Sequence, residues 1–109
     1  MYEERSTKPK PDERQEARVE AMLARLQGEP LYVTDARDVV VCIEGEDPRV
    51  IPHAWSHIAL TALGGPDFAA AIEAVTRAPG EIVVVLCIGE AVVDVRTIGL
   101  RSMQRGGSA

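Results

Sequence analysis

The stretch that decides the fold reads Glu81-Ile82-Val83-Val84-Val85-Leu86-Cys87-Ile88, then Gly89-Glu90, then Ala91-Val92-Val93-Asp94-Val95-Arg96-Thr97-Ile98. Two β-branched runs joined by two residues, with glycine first, carry the signature of a type II′ hairpin. With Gly89 and Glu90 in the loop, Ile88 opposes Ala91, Leu86 opposes Val93, Val84 opposes Val95 and Ile82 opposes Thr97. That face is almost wholly apolar and is expected to meet helices. The reverse face carries Val83, Val85, Cys87, Val92 and Ile98 beside Asp94 and Arg96, which is more apolar than a solvated sheet face. A second apolar face needs a cover, supplied by the first helix or by another subunit. Val83, Val85, Val92 and Ile98 are therefore interface candidates. If the cover is a subunit, a lysine at Val85 or Val92 is expected to give a soluble monomer.

Upstream, Pro66-Asp67 opens a helix over 67–78 in which Phe68, Ala71, Ile72 and Val75 fall at i, i+3, i+4 and i+7, and Ala78-Pro79-Gly80 ends it. The segment before it, from His53 to Leu63, fits two periods. As a helix over 52–63, Pro52 stands at the first position and Trp55, Ile58, Ala59, Ala62 and Leu63 share a face. As a strand, Ile58, Leu60 and Ala62 share one. Alanine content and the placement of Pro52 favour the helix, and Gly64-Gly65 ends the segment either way. Further upstream, Leu31–Thr34 and Val39–Ile43 flank the polar Asp35-Ala36-Arg37-Asp38 and read as a second hairpin over 31–43. Glu44-Gly45-Glu46-Asp47-Pro48 closes that unit as an acidic loop.

Asp12 and Gln15 stand at capping-box spacing, and Val19, Met22, Leu23 and Leu26 form one stripe before Gly28, which predicts a helix over 13–27. Glu16 with Glu20, and Arg14 with Arg18, are like charges at i, i+4, so this helix must draw its stability from docking its apolar stripe. Residues 1–11 and 100–109 are expected to be flexible tails around a single domain at 12–99. The expected architecture is α+β in two layers: an antiparallel sheet of two hairpins with helices packed on it.

Composition sets the outer limits. The 109 residues are 46% hydrophobic, 27% charged and 4% aromatic, with a formal net charge of −5. Leu, Ile, Val and Phe make up about 26% of the chain, above the roughly 20% below which chains tend to stay disordered. The longest apolar run, Ile82–Ile88, falls far short of the roughly 18 residues of a membrane span. The charged start lacks the apolar core of a secretory signal, so a cytoplasmic location and no membrane partner are expected. The acidic balance argues against nucleic acid as a partner, with Arg96, Arg101 and Arg105 too few and without interleaved aromatic rings.

His53 and His57 lie four apart and would share a face in either reading, as two ligands of a metal site do. Ala54 stands where a His-Glu-x-x-His motif has its glutamate, and a carboxylate could come only from Glu44, Glu46 or Asp47. Without further ligands the pair reads as polar residues on an exposed helix side, and neither a metal nor a cofactor is expected. Cys42 and Cys87 sit inside apolar runs with no adjacent cation and read as buried, reduced thiols. The acids of the loop lack a calcium-loop pattern, and Gly64-Gly65-Pro66 lacks the lysine of a phosphate loop. Trp55, between the two histidines, is expected in the core; on an exposed helix, Trp55, His53 and His57 would form a contact patch.

Two functional expectations follow. The first is a small cytoplasmic, non-enzymatic interaction or regulatory module that forms a homodimer, or takes a protein partner, through an apolar sheet face or the N-terminal helix. The alternative is a small metal-dependent enzyme or ligand-binding protein using His53 and His57 with loop carboxylates.

Overall fold

The computed structural model describes residues 12–29 and 31–99, so the tails expected at 1–11 and 100–109 lie outside the described residues. Its elements in chain order are α1 (Glu13–Gln27), β1 (Val39–Ile43), β2 (Arg49–Ile51), α2 (His53–Gly64), α3 (Pro66–Glu73), β3 (Glu81–Ile88) and β4 (Ala91–Gly99). The α+β class stands, with three helices and one four-stranded sheet in the order β2-β1-β3-β4.

The sheet is mixed rather than antiparallel throughout. β1 runs antiparallel to β2 but parallel to β3, with Val39 beside Val83 and Val41 beside Val85. Parallel neighbours cannot be joined by a tight turn, and here the crossover from β1 to β3 contains β2, α2 and α3. The hairpin expected over 31–43 does not form. The Asp38 carboxylate takes the backbone N–H groups of Thr34 and Asp35, which holds Leu31–Thr34 as a loop, and β1 pairs forward with the short β2 instead.

Both sheet faces are covered from within the chain, which makes three layers rather than two. On one face the α1 stripe of Val19, Met22, Leu23 and Leu26 packs on Val40, Cys42, Ile82, Val84, Leu86 and Val93. On the other, Leu60 of α2 with Phe68, Ala69 and Ile72 of α3 packs on Val39, Val41, Val83, Val85, Cys87 and Val95. Central strands buried on both sides are the reason that β1 and β3 read as unbroken apolar runs. The interface expected on the reverse face is thus occupied by α2 and α3: Val83 and Val85 have 0% exposure. Val92 packs half-buried against the same core, whereas Ile98 belongs to the α1 side.

The β3–β4 hairpin keeps its expected Ile88–Ala91 pair and then slips. Cys87 pairs with Val92 but Leu86 pairs with Asp94, so Val93 is an extra residue at a bulge. The slip turns Val95 toward the α3 core and Asp94 and Arg96 toward α1. Asp94 is buried, but its carboxylate accepts from the Val95 N–H at 2.9 Å and from Arg96 Nε at 2.8 Å, so no lone charge is left in the core.

The capping box of α1 is present, with Gln15 N–H on Asp12 Oδ1 at 2.8 Å. One member of each like-charged pair along α1 has a tertiary partner, Arg18 on Glu44 and Glu20 on Arg96, and Arg25 of the last turn meets Asp47. These are exposed pairs worth less than about 1 kcal/mol each. They orient the helix, while its apolar stripe holds it.

Candidate functional site

The site begins with one buried carboxylate. Asp38, 2% exposed, lies immediately before β1. Its Oδ2 accepts from Thr34 N–H (3.0 Å), Thr34 Oγ1 (3.2 Å) and Asp35 N–H (3.2 Å), and its Oδ1 accepts from His53 N–H at 2.8 Å. The last bond caps α2 from a distance: the N-cap position is Pro52, which offers no capping side chain, so Asp38 supplies the missing acceptor and a negative charge near the positive end of the helix. The 34–38 loop is therefore bolted to the start of α2.

That bolt fixes Arg37 beside His53. Arg37 is held by Asp35 through Nε and Nη2, both at 3.2 Å, and this pairing draws the Asp35 carboxyl down to about 2. Between the loop, α2 and the end of α3 lies a cleft of about 70 Å³. Its lining contains the apolar Val39, Leu60 and Ile72 together with the polar Arg37, His53, Ser56, Glu73 and Arg77. Ser56 is satisfied by the His53 carbonyl, and Glu73 Oε2 lies 2.8 Å from His57 Nδ1. Arg77 differs: its Nε is buried and has no hydrogen-bond partner.

The histidines are thus on one helix, as their spacing requires, but each has its own neighbourhood. His57 pairs with Glu73 of α3, while His53 borders the arginine cleft. Glu44 and Asp47 turn instead to Arg18 and Arg25 of α1. Among the described residues no three His, Cys, Asp or Glu side chains converge as metal ligands would. Cys42 and Cys87 belong to the cores on opposite sheet faces, and burial pushes both thiols up. Gly64-Gly65 forms the tight α2–α3 junction: a Cβ on Gly64 would stand 2.6 Å from the Phe68 ring, and Gly65 has φ +95°.

Trp55 corrects the expectation of a core position. It is 62% exposed and Ile58 is 61% exposed, because α2 rests on the sheet through Ser56 and Leu60 instead. Trp55, Ile58 and Ala62, at i, i+3 and i+7, share an outward stripe. Phe68 of α3 fills the core where a large aromatic was expected. Sequence reading passed over Asp38 and Arg77. Asp38 was readable only as a turn residue, and nothing in Thr76-Arg77-Ala78-Pro79 signals a guanidinium folded back into a cleft.

Compared with known proteins, the chain matches no family model, no curated protein and no solved structure.

Proposed function

We propose that this protein is a small non-enzymatic interaction module that works as a homodimer, with two copies meeting through the outward stripe of α2. The observation that carries this reading is the exposure of Trp55 and Ile58 side by side on one helix. A tryptophan more than half exposed leaves a large apolar surface in water, and tryptophan is the residue type most often found at the energetic centre of interfaces.

Charge argues that the occupant is a second copy. The chain carries a net −5, so most pairings of its surface with itself bring like charges together. The α2 sequence His53-Ala54-Trp55-Ser56-His57-Ile58-Ala59-Leu60-Thr61-Ala62-Leu63-Gly64 contains no Asp, Glu, Lys or Arg. An uncharged helix face can meet its own image across a two-fold axis, with Trp55 of one copy on Ile58 and Ala62 of the other. His53 and His57 then lie at the polar rim.

Sedimentation equilibrium of the wild type beside Trp55→Lys and Ile58→Lys tests this. The wild type is expected to reach twice the chain mass as concentration rises, and both variants to remain monomers with unchanged circular dichroism. A wild type that stays monomeric at every concentration, or a dimer that both variants retain, overturns the reading.

A further inference from the structure

We propose that Asp94 guards the free edge of β4: its carboxylate occupies an edge N–H that the β4 of a second copy would otherwise take, so copies do not join by extending the sheet. This goes beyond the dimer reading and is independent of it. The guard acts at the outer edge of the sheet, whereas the dimer uses the outward stripe of α2.

The need for a guard follows from the strand order. In the order β2-β1-β3-β4 the sheet has two edges. β2 is only three residues long and is followed at once by Pro52, so it offers little backbone to an incoming strand. β4 is nine residues long, and Val92, Val93, Val95, Thr97 and Ile98 are all β-branched, the composition that pairs most readily with a copy of itself. Among the described residues no strand pairs with its outer side. A groove of about 350 Å³ lies between Leu23, Ala24 and Gln27 of α1 and Arg96, Thr97 and Ile98 of β4, so the helix does not close over this end of the strand.

The bulge decides which donor is guarded. Ile88 and Ala91 flank the two-residue turn as a hydrogen-bonded pair, and such pairs alternate with non-bonded ones along an antiparallel ladder. Counting from there through the extra residue Val93, Val95 opposite Val85 and Thr97 opposite Val83 fall on non-bonded pairs, so their N–H groups point away from β3. Without the bulge Val95 would stand opposite Val84 and turn its N–H inward. The same bulge sets Asp94 immediately before this outward donor, and its Oδ1 accepts from the Val95 N–H at 2.9 Å. Asp94 is 6% exposed and does not swing freely. Its Oδ2 takes Arg96 Nε at 2.8 Å, and Arg96 Nη1 reaches Glu20 of α1 at 3.5 Å. The cap on the edge is thus anchored to the helix that covers the sheet. An inward charge and a bulge are two of the means by which an exposed edge is kept from pairing.

The test is made in the Ile58→Lys background, so that association through α2 does not contribute and the background's own mass is the baseline. Sedimentation equilibrium is combined with amide hydrogen exchange for Asp94→Ala, which removes the cap, and Asp94→Asn, which keeps an oxygen for the Val95 N–H. Asp94→Ala is expected to exceed the baseline mass at least twofold as concentration rises, with new protection at the Thr97 N–H. Adding Thr97→Pro, which removes that outward donor, is expected to return it to the baseline, where Asp94→Asn remains throughout. A folded Asp94→Ala at the baseline mass, association without protection at Thr97, or equal association of Asp94→Asn overturns the proposal. Should circular dichroism show Asp94→Ala unfolded, exchange in the background itself decides: the Val95 N–H is expected to exchange at least about tenfold more slowly than the Thr97 N–H, and equal rates overturn the cap.

Discussion

Asp38 shows how much one side chain organises here. Four donors converge on its carboxylate, three of them backbone N–H groups of Thr34, Asp35 and His53. Asp38→Ala orphans them, and stability measured by urea unfolding is expected to fall by about 2–4 kcal/mol, with loosening of both the 34–38 loop and the first turn of α2. Asp35 contributes differently. Its ordinary carboxyl value of 3.8 is lowered to about 2 by Arg37, so its contribution is complete above the ordinary value and disappears as pH falls from about 4 to about 2. Asp35→Asn is expected to flatten the urea-midpoint profile over that window; an unchanged profile contradicts the pairing. The type of residue at 35 and 38 was legible as turn chemistry. Which donors they would collect was not, because His53 lies far along the chain and its approach depends on where α2 docks.

At the scale of elements, the most informative position is Val85. At 0% exposure beneath α3, a lysine there leaves an ammonium group in the core, and Val85→Lys is expected to unfold the chain, at a cost of more than about 4 kcal/mol. A folded, soluble monomer by circular dichroism and sedimentation would instead place that face at an intersubunit contact. The α2–α3 junction has its own test. Gly64→Ala drives a methyl group into the Phe68 ring and is expected to cost about 1–3 kcal/mol. Gly28→Ala, with ordinary backbone angles and its nearest new contact at 3.6 Å, is expected to be neutral or stabilising by up to about 1 kcal/mol. Helix periodicity placed α1 at its observed limits because one stripe and two caps coincide there. The second apolar face of the Glu81–Ile98 hairpin correctly signalled a cover, but hydrophobic pattern does not carry the identity of the partner. The parallel β1–β3 pair and the bulge at Val93 were hidden for the same reason: pairing is decided by elements far apart in sequence, and a one-residue slip exchanges the faces of everything beyond it.

At the scale of the molecule, the apolar surface that sequence assigned to the sheet is consumed by three helices, and the stripe on α2 is what remains. An exposed patch on a chain of net charge −5 should associate more strongly when its long-range repulsion is screened. Raising sodium chloride from low to physiological ionic strength is therefore expected to shift the dimer equilibrium toward dimer. Weakening by salt would point to an interface built on ion pairs elsewhere. The histidine pair was legible as a spacing but not as a site, since its meaning turned on Glu73 and Arg77, which α3 and the segment after it bring in. Trp55 was readable in the sequence as either a core or an exposed residue, and the orientation of α2 leaves it exposed.

Because Trp55 is the only tryptophan in the chain, its fluorescence reports on this surface alone. The most direct measurement is its emission and acrylamide quenching as the protein is concentrated, in the wild type and in Ile58→Lys. The account predicts a shift to shorter wavelength and loss of quenching with rising concentration in the wild type, and neither change in Ile58→Lys. Emission that stays at the water-exposed position, equally quenched at every concentration, would contradict it.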